Sequence, residues 1–177
     1  MNDIPMMTVP GDPMGAAIYD YHQNGKADTL VVRSSMFDDD EIPVADLFRG
    51  FAEMPALERA ALQLAQGRVL DVGAGAGCHS LALMQMGKEA VAIDISALSV
   101  LVMKERGVDA RLVDFYDEAF DEKFDTVLML MNGTGIMGNL DNVKPFFSAL
   151  KRLLQPDGCV YVDSSDLRYL FGKRTAV

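Results

Sequence analysis

A run of alternating glycines follows an acidic residue near the middle of the chain, in the pattern Asp71-x-Gly73-x-Gly75-x-Gly77. Glycines allow a tight turn and let a ligand approach backbone N–H groups at a helix start, where the dipole favours an anionic group such as a carboxylate. Asp94 follows at about the 20-residue separation at which an acidic side chain can accept hydrogen bonds from ribose hydroxyls. Together these residues predict a site for a nucleoside-containing cofactor.

From residue 68 onward, short apolar runs alternate with helical patterns, which is typical of βα units and a parallel sheet. We therefore predict an α/β fold with a Rossmann-like parallel sheet and helices on both faces. Ser96 is the predicted N-cap of the helix after the second strand. The predicted strands are Arg68–Val72, Ala90–Asp94, Ala110–Val113, Asp125–Leu130 and Cys159–Asp163, with a turn at Pro156-Asp157-Gly158 before the last.

The segment Val69-Leu70-Asp71-Val72-Gly73-Ala74-Gly75-Ala76-Gly77 resembles motif I of the class I S-adenosylmethionine-dependent methyltransferases, and the resemblance extends over residues 68–165. It implies that Asp94 holds the cofactor ribose, that Asp114 and Phe115 border the adenine, and that Asn132 lies near the reactive methyl group. The cofactor-binding residues implied in this way are Asp71, Gly73, Ala74, Gly75, Gly77, Asp94, Ile95, Asp114, Phe115 and Asn132.

The resemblance implies methyl transfer from S-adenosylmethionine to a small-molecule acceptor by in-line displacement, with S-adenosylhomocysteine as product. The segment Asn132-Gly133-Thr134-Gly135 lacks the Asn/Asp-Pro-Pro-Tyr/Phe form of many amino-methylating members, which disfavours adenine or glutamine amides as acceptors. One alternative is an NAD(P)-dependent oxidoreductase, although the dinucleotide pattern G-x-G-x-x-G would need glycine where Cys78 stands. A second alternative is a non-catalytic module that binds S-adenosylmethionine.

Residues 1–67 read as an N-terminal appendage or substrate lid in the same compact domain as the cofactor-binding core at 68–177. The appendage is predicted to contain a helix over 14–22, an extended run over 29–33 and an acidic loop over 37–41. Tyr21 and His22 are candidate proton acceptors, although aromatic packing on a helix also explains such a group.

Class I members usually add two strands after the fifth, and residues after Asp163 leave no room for them. Strands six and seven are therefore expected to be absent. Strand five would then be an exposed edge, which proteins normally cover, charge or pair. This predicts either a truncated chain or a homodimer formed through the strand-five edge.

The composition narrows the class of protein further. A net charge of -10 disfavours nucleic acid as a partner. The two cysteines fit a reducing cytoplasm, and Cys78 is expected to pack rather than to act as a nucleophile. The sequence shows neither a secretory signal nor a membrane span. The two histidines, His22 and His79, have no metal-ligand spacing, so no metal site is predicted.

Overall fold

The computed structural model describes residues 11–27, 29–33 and 38–166. Five parallel strands form one sheet, namely β3 Arg68–Val72, β4 Glu89–Asp94, β5 Asp109–Leu112, β6 Phe124–Met129 and β7 Leu154–Val162. Their order across the sheet is β5-β4-β3-β6-β7. The chain builds outward from β3 to β5 and then returns to add β6 and β7 on the other side, so the strand order reverses between β3 and β6. In open α/β sheets such a reversal leaves a crevice at the carboxyl ends of the strands, where ligands bind.

Helices cover both faces of this sheet, because successive residues of each strand point to opposite sides. The helices are α1 Pro13–Asn24, α2 Ala56–Leu64, α3 Cys78–Gln85, α4 Ala97–Glu105 and α5 Val143–Leu153. Val69 and Leu128 pack with α2 and α3 on one face, whereas Leu70 and Val127 pack with α5 on the other. The predicted α/β fold with a mostly parallel sheet is confirmed.

The N-terminal part contains the predicted helix as α1 and the predicted extended run as β1, Leu30–Val32. The predicted acidic loop over 37–41 is wrong from Asp40 onward, because Asp40–Ile42 forms a second strand, β2, that pairs antiparallel with β1. Pairing of Leu30 with Ile42 stabilises this short strand despite its acidic residues, which is a tertiary effect that local composition does not reveal. Residue 37 and the first ten residues of the appendage lie outside the described residues, as do residues 167–177.

The expectation that strands six and seven are absent is also wrong. The chain has a sixth and a seventh strand, β6 and β7, which pair in parallel at one side of the sheet. β6 and β7 contain the segments predicted as the fourth and fifth strands of the sheet, and they are the sixth and seventh strands of the chain because the extended run β1 pairs with the unpredicted strand β2.

β7 is longer than predicted and begins directly after α5. Leu154 pairs with Phe124 and Cys159 pairs with Thr126, so the chain advances five residues on β7 against two on β6. The predicted turn at 156–158 is therefore an irregular stretch inside an extended strand. Of the helices in the described ranges, none has the length and apolar character needed to cross a membrane.

Candidate functional site

The glycine turn joins the end of β3 to the start of α3 at the crevice of the sheet. Gly73, Gly75 and Gly77 have φ values of 68°, 55° and 79°, in the left-handed region that favours glycine. The N–H groups of Gly73 and Ala74 both donate to the carbonyl oxygen of Ile93, at 2.9 and 3.2 Å, and so fasten the turn to β4. A Cβ on Gly77 would lie 2.9 Å from Cγ of Met103, so the close packing of the turn against α4 also requires glycine there.

Asp71, the acidic residue that precedes the glycines, is buried at 2% exposure. Its Oδ2 accepts a hydrogen bond of 2.7 Å from Oγ of Ser80, which lies on α3. The carboxylate therefore has a fixed orientation at the base of the turn, and it is one of the residues that line the cavity described below.

Asp94 ends β4 and connects the glycine turn to the start of α4. Its Oδ2 accepts from the N–H of Gly75 and its Oδ1 accepts from the N–H of Ser96, both at 2.9 Å. Burial raises the pKa of this carboxyl, and the two backbone N–H groups oppose that rise without cancelling it. A carboxylate has about four acceptor positions, so these bonds leave capacity for ligand hydroxyls.

A cavity of about 330 Å³ opens at this end of the sheet. It brings together six of the predicted site residues, which are Asp71, Gly73, Ala74, Gly75, Asp94 and Ile95. Its volume lies at the lower end of the range that is usual for small-molecule sites. Among the described residues, no group of His, Cys, Asp and Glu is arranged to hold a metal ion.

Four other predicted cofactor residues do not line this cavity. Gly77 faces α4, as described above. Phe115 is 3% exposed and packs in the core with its ring centroid 5.6 Å from that of Phe146. Asp114 is exposed and accepts from the N–H of Tyr116 at 2.9 Å. Asn132, with φ of 68°, accepts from the N–H of Ser165 at 3.3 Å.

The two candidate proton acceptors lie outside the cavity wall as well. The ring of Tyr21 packs 4.8 Å from that of Phe48, centroid to centroid. Nε2 of His22 lies 3.0 Å from Oε2 of Glu105 on α4. Both side chains face the contact between the appendage and the core, because Tyr21 also packs against a cluster that includes Ala76 and Val102. Their assignment as proton acceptors stays a prediction that the cavity geometry does not support.

Part of the cavity wall was not predicted from the sequence, because it comes from α1, which packs over the crevice. Asp12 caps α1 by accepting from the N–H of Gly15 at 2.8 Å, and its other oxygen accepts from Oγ of Ser96 at 2.6 Å. The Asp12-Pro13 pair is an N-cap signal that could have placed the start of this helix. The lining residues missed in this way are Asp12, Met14, Ile18, Ile42, Leu47, Ala76, Cys78, His79, Ser96, Ser99, Leu130 and Met131.

Two of these unpredicted lining residues, Ser99 and Cys78, affect how the cavity can bind or react with a ligand. Ser99 is 1% exposed, and its Oγ has no hydrogen-bond partner among the described residues, so the cavity wall carries a buried polar atom that a ligand can satisfy. Burial, together with the charge of Asp71, raises the pKa of the Cys78 thiol to about 12. Cys78 is therefore a neutral thiol at physiological pH, which agrees with the packing role predicted for it.

The chain is similar in sequence and in structure to known methyltransferases. A family model described as a methyltransferase domain matches residues 70–162. The crystal structure of an S-adenosylmethionine-dependent methyltransferase from Bacteroides fragilis, in complex with S-adenosyl-L-homocysteine, is 61% identical with a TM-score of 0.88. That match covers 93% of this chain and 69% of the Bacteroides fragilis chain.

Two curated relatives are shorter matches. The cypemycin N-terminal methyltransferase of Streptomyces sp is 35% identical over 102 residues, which are 55% of this chain and 42% of the relative. An uncharacterised methyltransferase of Staphylococcus carnosus is 36% identical over 84 residues, which are 47% of this chain and 39% of the relative. The chain thus spans about two fifths of the length of the curated relatives it matches.

Proposed function

Because the chain belongs to the methyltransferase domain family, we propose that it transfers the methyl group of S-adenosylmethionine to a small-molecule acceptor by in-line displacement. The observation that carries this proposal is the Asp94 carboxylate, which joins the glycine turn to α4 and lines the same cavity as Asp71. An acidic side chain in this position can bind ribose hydroxyls, and its hydrogen bonds to Gly75 and Ser96 leave acceptor capacity for them.

The residues of the cavity fit an adenosyl cofactor with an amino-acid portion. Asp94 offers acceptor positions for ribose hydroxyls, and the 62% exposed side chain of Ile95 beside it offers an apolar surface for a base. The unpartnered Oγ of Ser99 supplies a further polar contact. Asp71 places a buried negative charge where a ligand ammonium group would be stabilised.

The cofactor supplies an electrophilic methyl group, so the chain itself must mainly position the acceptor and exclude water. The apolar side chains of Met14, Ile18 and Leu47 on the cavity wall serve the second purpose. Positioning alone can contribute about 7–11 kcal/mol to the lowering of a reaction barrier. A dedicated catalytic base is therefore not required for the proposed reaction.

The acceptor is proposed to be a small molecule because a net charge of -10 opposes binding to a phosphate backbone. Among the described residues that line the cavity, Asp12, Asp71 and Asp94 are acidic and none is Lys or Arg. The negative charge of this wall disfavours an anionic acceptor, so amines are the first acceptors to test. The curated Streptomyces relative is itself named for N-terminal methylation.

The first experiment is calorimetric titration with S-adenosylhomocysteine of the wild type, of Asp94→Ala and of Glu118→Ala. Glu118 is an exposed acid that does not line the cavity, so it controls for loss of charge alone. We expect binding by the wild type and by Glu118→Ala, with binding strongly weakened in Asp94→Ala. NAD serves as the control ligand and should not bind.

The second experiment measures methyl transfer from S-adenosylmethionine to a panel of amines, phenols and carboxylates. Product formed with any small acceptor, and lost in Asp94→Ala, supports the proposed reaction. Tight cofactor binding with no transfer to any member of the panel would favour a non-catalytic binding module instead. A folded wild type that does not bind S-adenosylhomocysteine would remove the proposed function altogether.

A further inference from the structure

A buried cluster of three ionisable side chains lies beside the cavity, outside the set of residues discussed so far for cofactor binding. Both carboxylate oxygens of Glu58 lie 2.6 Å from Nη2 of Arg49, and Oε2 of Glu58 lies 2.9 Å from Nε2 of His79. The side chains of Arg49, Glu58 and His79 are 11%, 7% and 5% exposed. Glu58 is therefore held between two basic groups and is largely shielded from solvent.

The three residues come from different parts of the chain. Arg49 lies between two short 3-10 helices over 44–48 and 51–53, and Glu58 lies in the first turn of α2. His79 is the second residue of α3, directly after the glycine turn. The cluster thus links the N-terminal part of the chain to the start of α3. Of its three members only His79 lines the cavity.

Stability alone explains this cluster poorly. Buried ion pairs lose so much hydration that well-packed apolar residues often stabilise a protein equally well or better. Strongly interacting ionisable groups at a cavity are, in contrast, typical of binding and catalytic sites. Burial raises the pKa of Glu58, but the hydrogen bonds from His79 and Arg49 outweigh burial and lower it overall. Glu58 therefore stays ionised and orients the imidazole ring.

The surroundings of His79 favour an anionic ligand group. Gly77 has no side chain to cap α3, so the positive end of the helix dipole beside His79 favours an anion. Because Nε2 of His79 is bonded to Glu58, Nδ1 is the nitrogen left for a ligand. The cavity also carries the buried carboxylate of Asp71, which favours a cationic group. An anion site and a cation site on one wall match a zwitterionic amino acid.

We propose that His79 is a cofactor-binding residue that donates a hydrogen bond to the carboxylate of the amino-acid portion of S-adenosylmethionine. In the complex both ring nitrogens are donors, Nε2–H to Glu58 and Nδ1–H to the ligand carboxylate. Glu58 and Arg49 are positioning residues that act through His79. This inference rests on the proposed function, since it concerns the same cavity and the same cofactor.

The test compares two ligands that differ only in the carboxylate, namely S-adenosylhomocysteine and its decarboxylated analogue, by calorimetric titration. The proteins are the wild type, His79→Gln and His22→Gln. His22, the other histidine, does not line the cavity and receives the same substitution as a matched control. We expect His79→Gln to lower the affinity for S-adenosylhomocysteine about 10- to 100-fold. Its affinity for the decarboxylated analogue should change by less than about twofold, and His22→Gln should change neither affinity.

The ratio of the two affinities separates a binding role of His79 from a structural one, because damage to the fold lowers the affinity for both ligands equally. Equal weakening of both ligands in His79→Gln, or no weakening of either, overturns the proposal. If the variant does not fold, the wild type decides the question. Equal affinity of the wild type for the two ligands would then overturn the proposal, and a loss of tenfold or more with the analogue would support it.

The positioning role of Glu58 has its own readout. Glu58→Gln should lower the affinity for S-adenosylhomocysteine more than the affinity for the decarboxylated analogue, as His79→Gln does. A merely structural Glu58 would reduce both alike. Failure of the proposed function is distinguishable from failure of this inference, because in the former case the folded wild type binds neither ligand.

Discussion

At the scale of single residues, Asp94 shows how structure and ligand binding share one carboxylate. Its two oxygens hold Gly75 and Ser96 in place, and it also lines the cavity. Burial raises its pKa, and the nearby carboxylates of Asp12 and Asp71 add to the rise. The charged form is therefore costly in the free protein. A ligand that donates hydrogen bonds to this carboxylate would stabilise the charged form, so binding and ionisation are coupled.

This coupling predicts a pH dependence for cofactor binding. The affinity for S-adenosylhomocysteine should fall as the pH is lowered through the raised pKa of Asp94, beginning above the ordinary value of about 4 for an aspartate. The free protein should respond in the opposite direction. A carboxyl whose pKa is raised by folding contributes stability that is present below its unfolded pKa and is lost as pH rises through its folded pKa.

Calorimetric titrations at several pH values between about 7.5 and 5 measure the first effect. Asp94→Asn is the matched variant, and it should bind more weakly with little of this pH dependence, because its amide does not titrate. A wild-type affinity that stays constant down to pH 5, or a pH dependence that is unchanged in Asp94→Asn, would contradict the coupling.

A second prediction at this scale concerns the two cysteines. With a pKa of about 12, Cys78 is thiolate in only about one molecule in ten thousand at pH 8. It is also buried, whereas Cys159 is partly exposed. Iodoacetamide at pH 8 should therefore modify Cys159 well before Cys78, as followed by peptide mass spectrometry. Both should react in urea, and fast alkylation of Cys78 in the folded chain would contradict the burial described here.

At the scale of elements, the position of α1 decides the shape of the cavity. Ile18 is fully buried and lines the cavity together with Met14. α1 reaches this position because Gly15 allows it to approach Ser96 at the start of α4. A Cβ on Gly15 would lie 2.2 Å from both Oδ2 of Asp12 and Oγ of Ser96, which are hydrogen-bonded to each other. The absence of a side chain at this position therefore lets the helix close over the site.

The prediction is that Gly15→Ala destabilises the chain, although alanine is normally the better helix former. The added methyl group must break the Asp12–Ser96 bond or displace α1, at a cost of about 1–3 kcal/mol in free energy of unfolding. Affinity for S-adenosylhomocysteine should fall too, because α1 carries part of the cavity wall. Urea denaturation and calorimetric titration measure the two effects.

Gly11→Ala is the matched control, because a Cβ on Gly11 would meet nothing within 4 Å. It should change the free energy of unfolding by less than about 0.5 kcal/mol. If Gly15→Ala behaved in the same way, α1 would not be docked as described. Stabilisation by Gly15→Ala would lead to the same conclusion.

At the scale of the whole molecule, the parallel sheet and the glycine turn could be predicted because each depends on a local pattern. Strand β3, the turn and Asp94 follow one another within 30 residues, and their order in the chain fixes their place in the sheet. Strand β2 could not be predicted, since acidic Asp40–Ile42 is extended only because it pairs with β1. Docking of α1 onto α4 is likewise a contact between distant segments, so its share of the cavity wall was missed.

β7 is the outer strand on one side of the sheet. β7 pairs with β6 on one side and forms one edge of the sheet as far as the described residues extend. Pairing of this edge with a second chain stays a prediction. Sedimentation analysis would detect such a dimer, and a monomer at all concentrations would count against it.

The thermal stability of the folded chain should depend on all of its contacts with a bound ligand together. A ligand that binds only the native state stabilises it by about 2.7 kcal/mol at a hundredfold excess over its Kd. For a chain of this size each kcal/mol raises Tm by about 2–4 °C, so S-adenosylhomocysteine should raise Tm by roughly 5–11 °C.

NAD also contains adenosine but should leave Tm unchanged. NAD has no ammonium group for Asp71, and its doubly charged pyrophosphate would meet a described cavity wall with Asp12, Asp71 and Asp94 and without Lys or Arg. The turn also has Cys78 where a dinucleotide-binding turn has its third glycine. The Tm increase with S-adenosylhomocysteine should disappear in Asp94→Ala at the same ligand concentration. An equal increase with NAD would instead mean that the cavity recognises adenosine alone, and the amino-acid contacts assigned to Asp71 and His79 would then have no support.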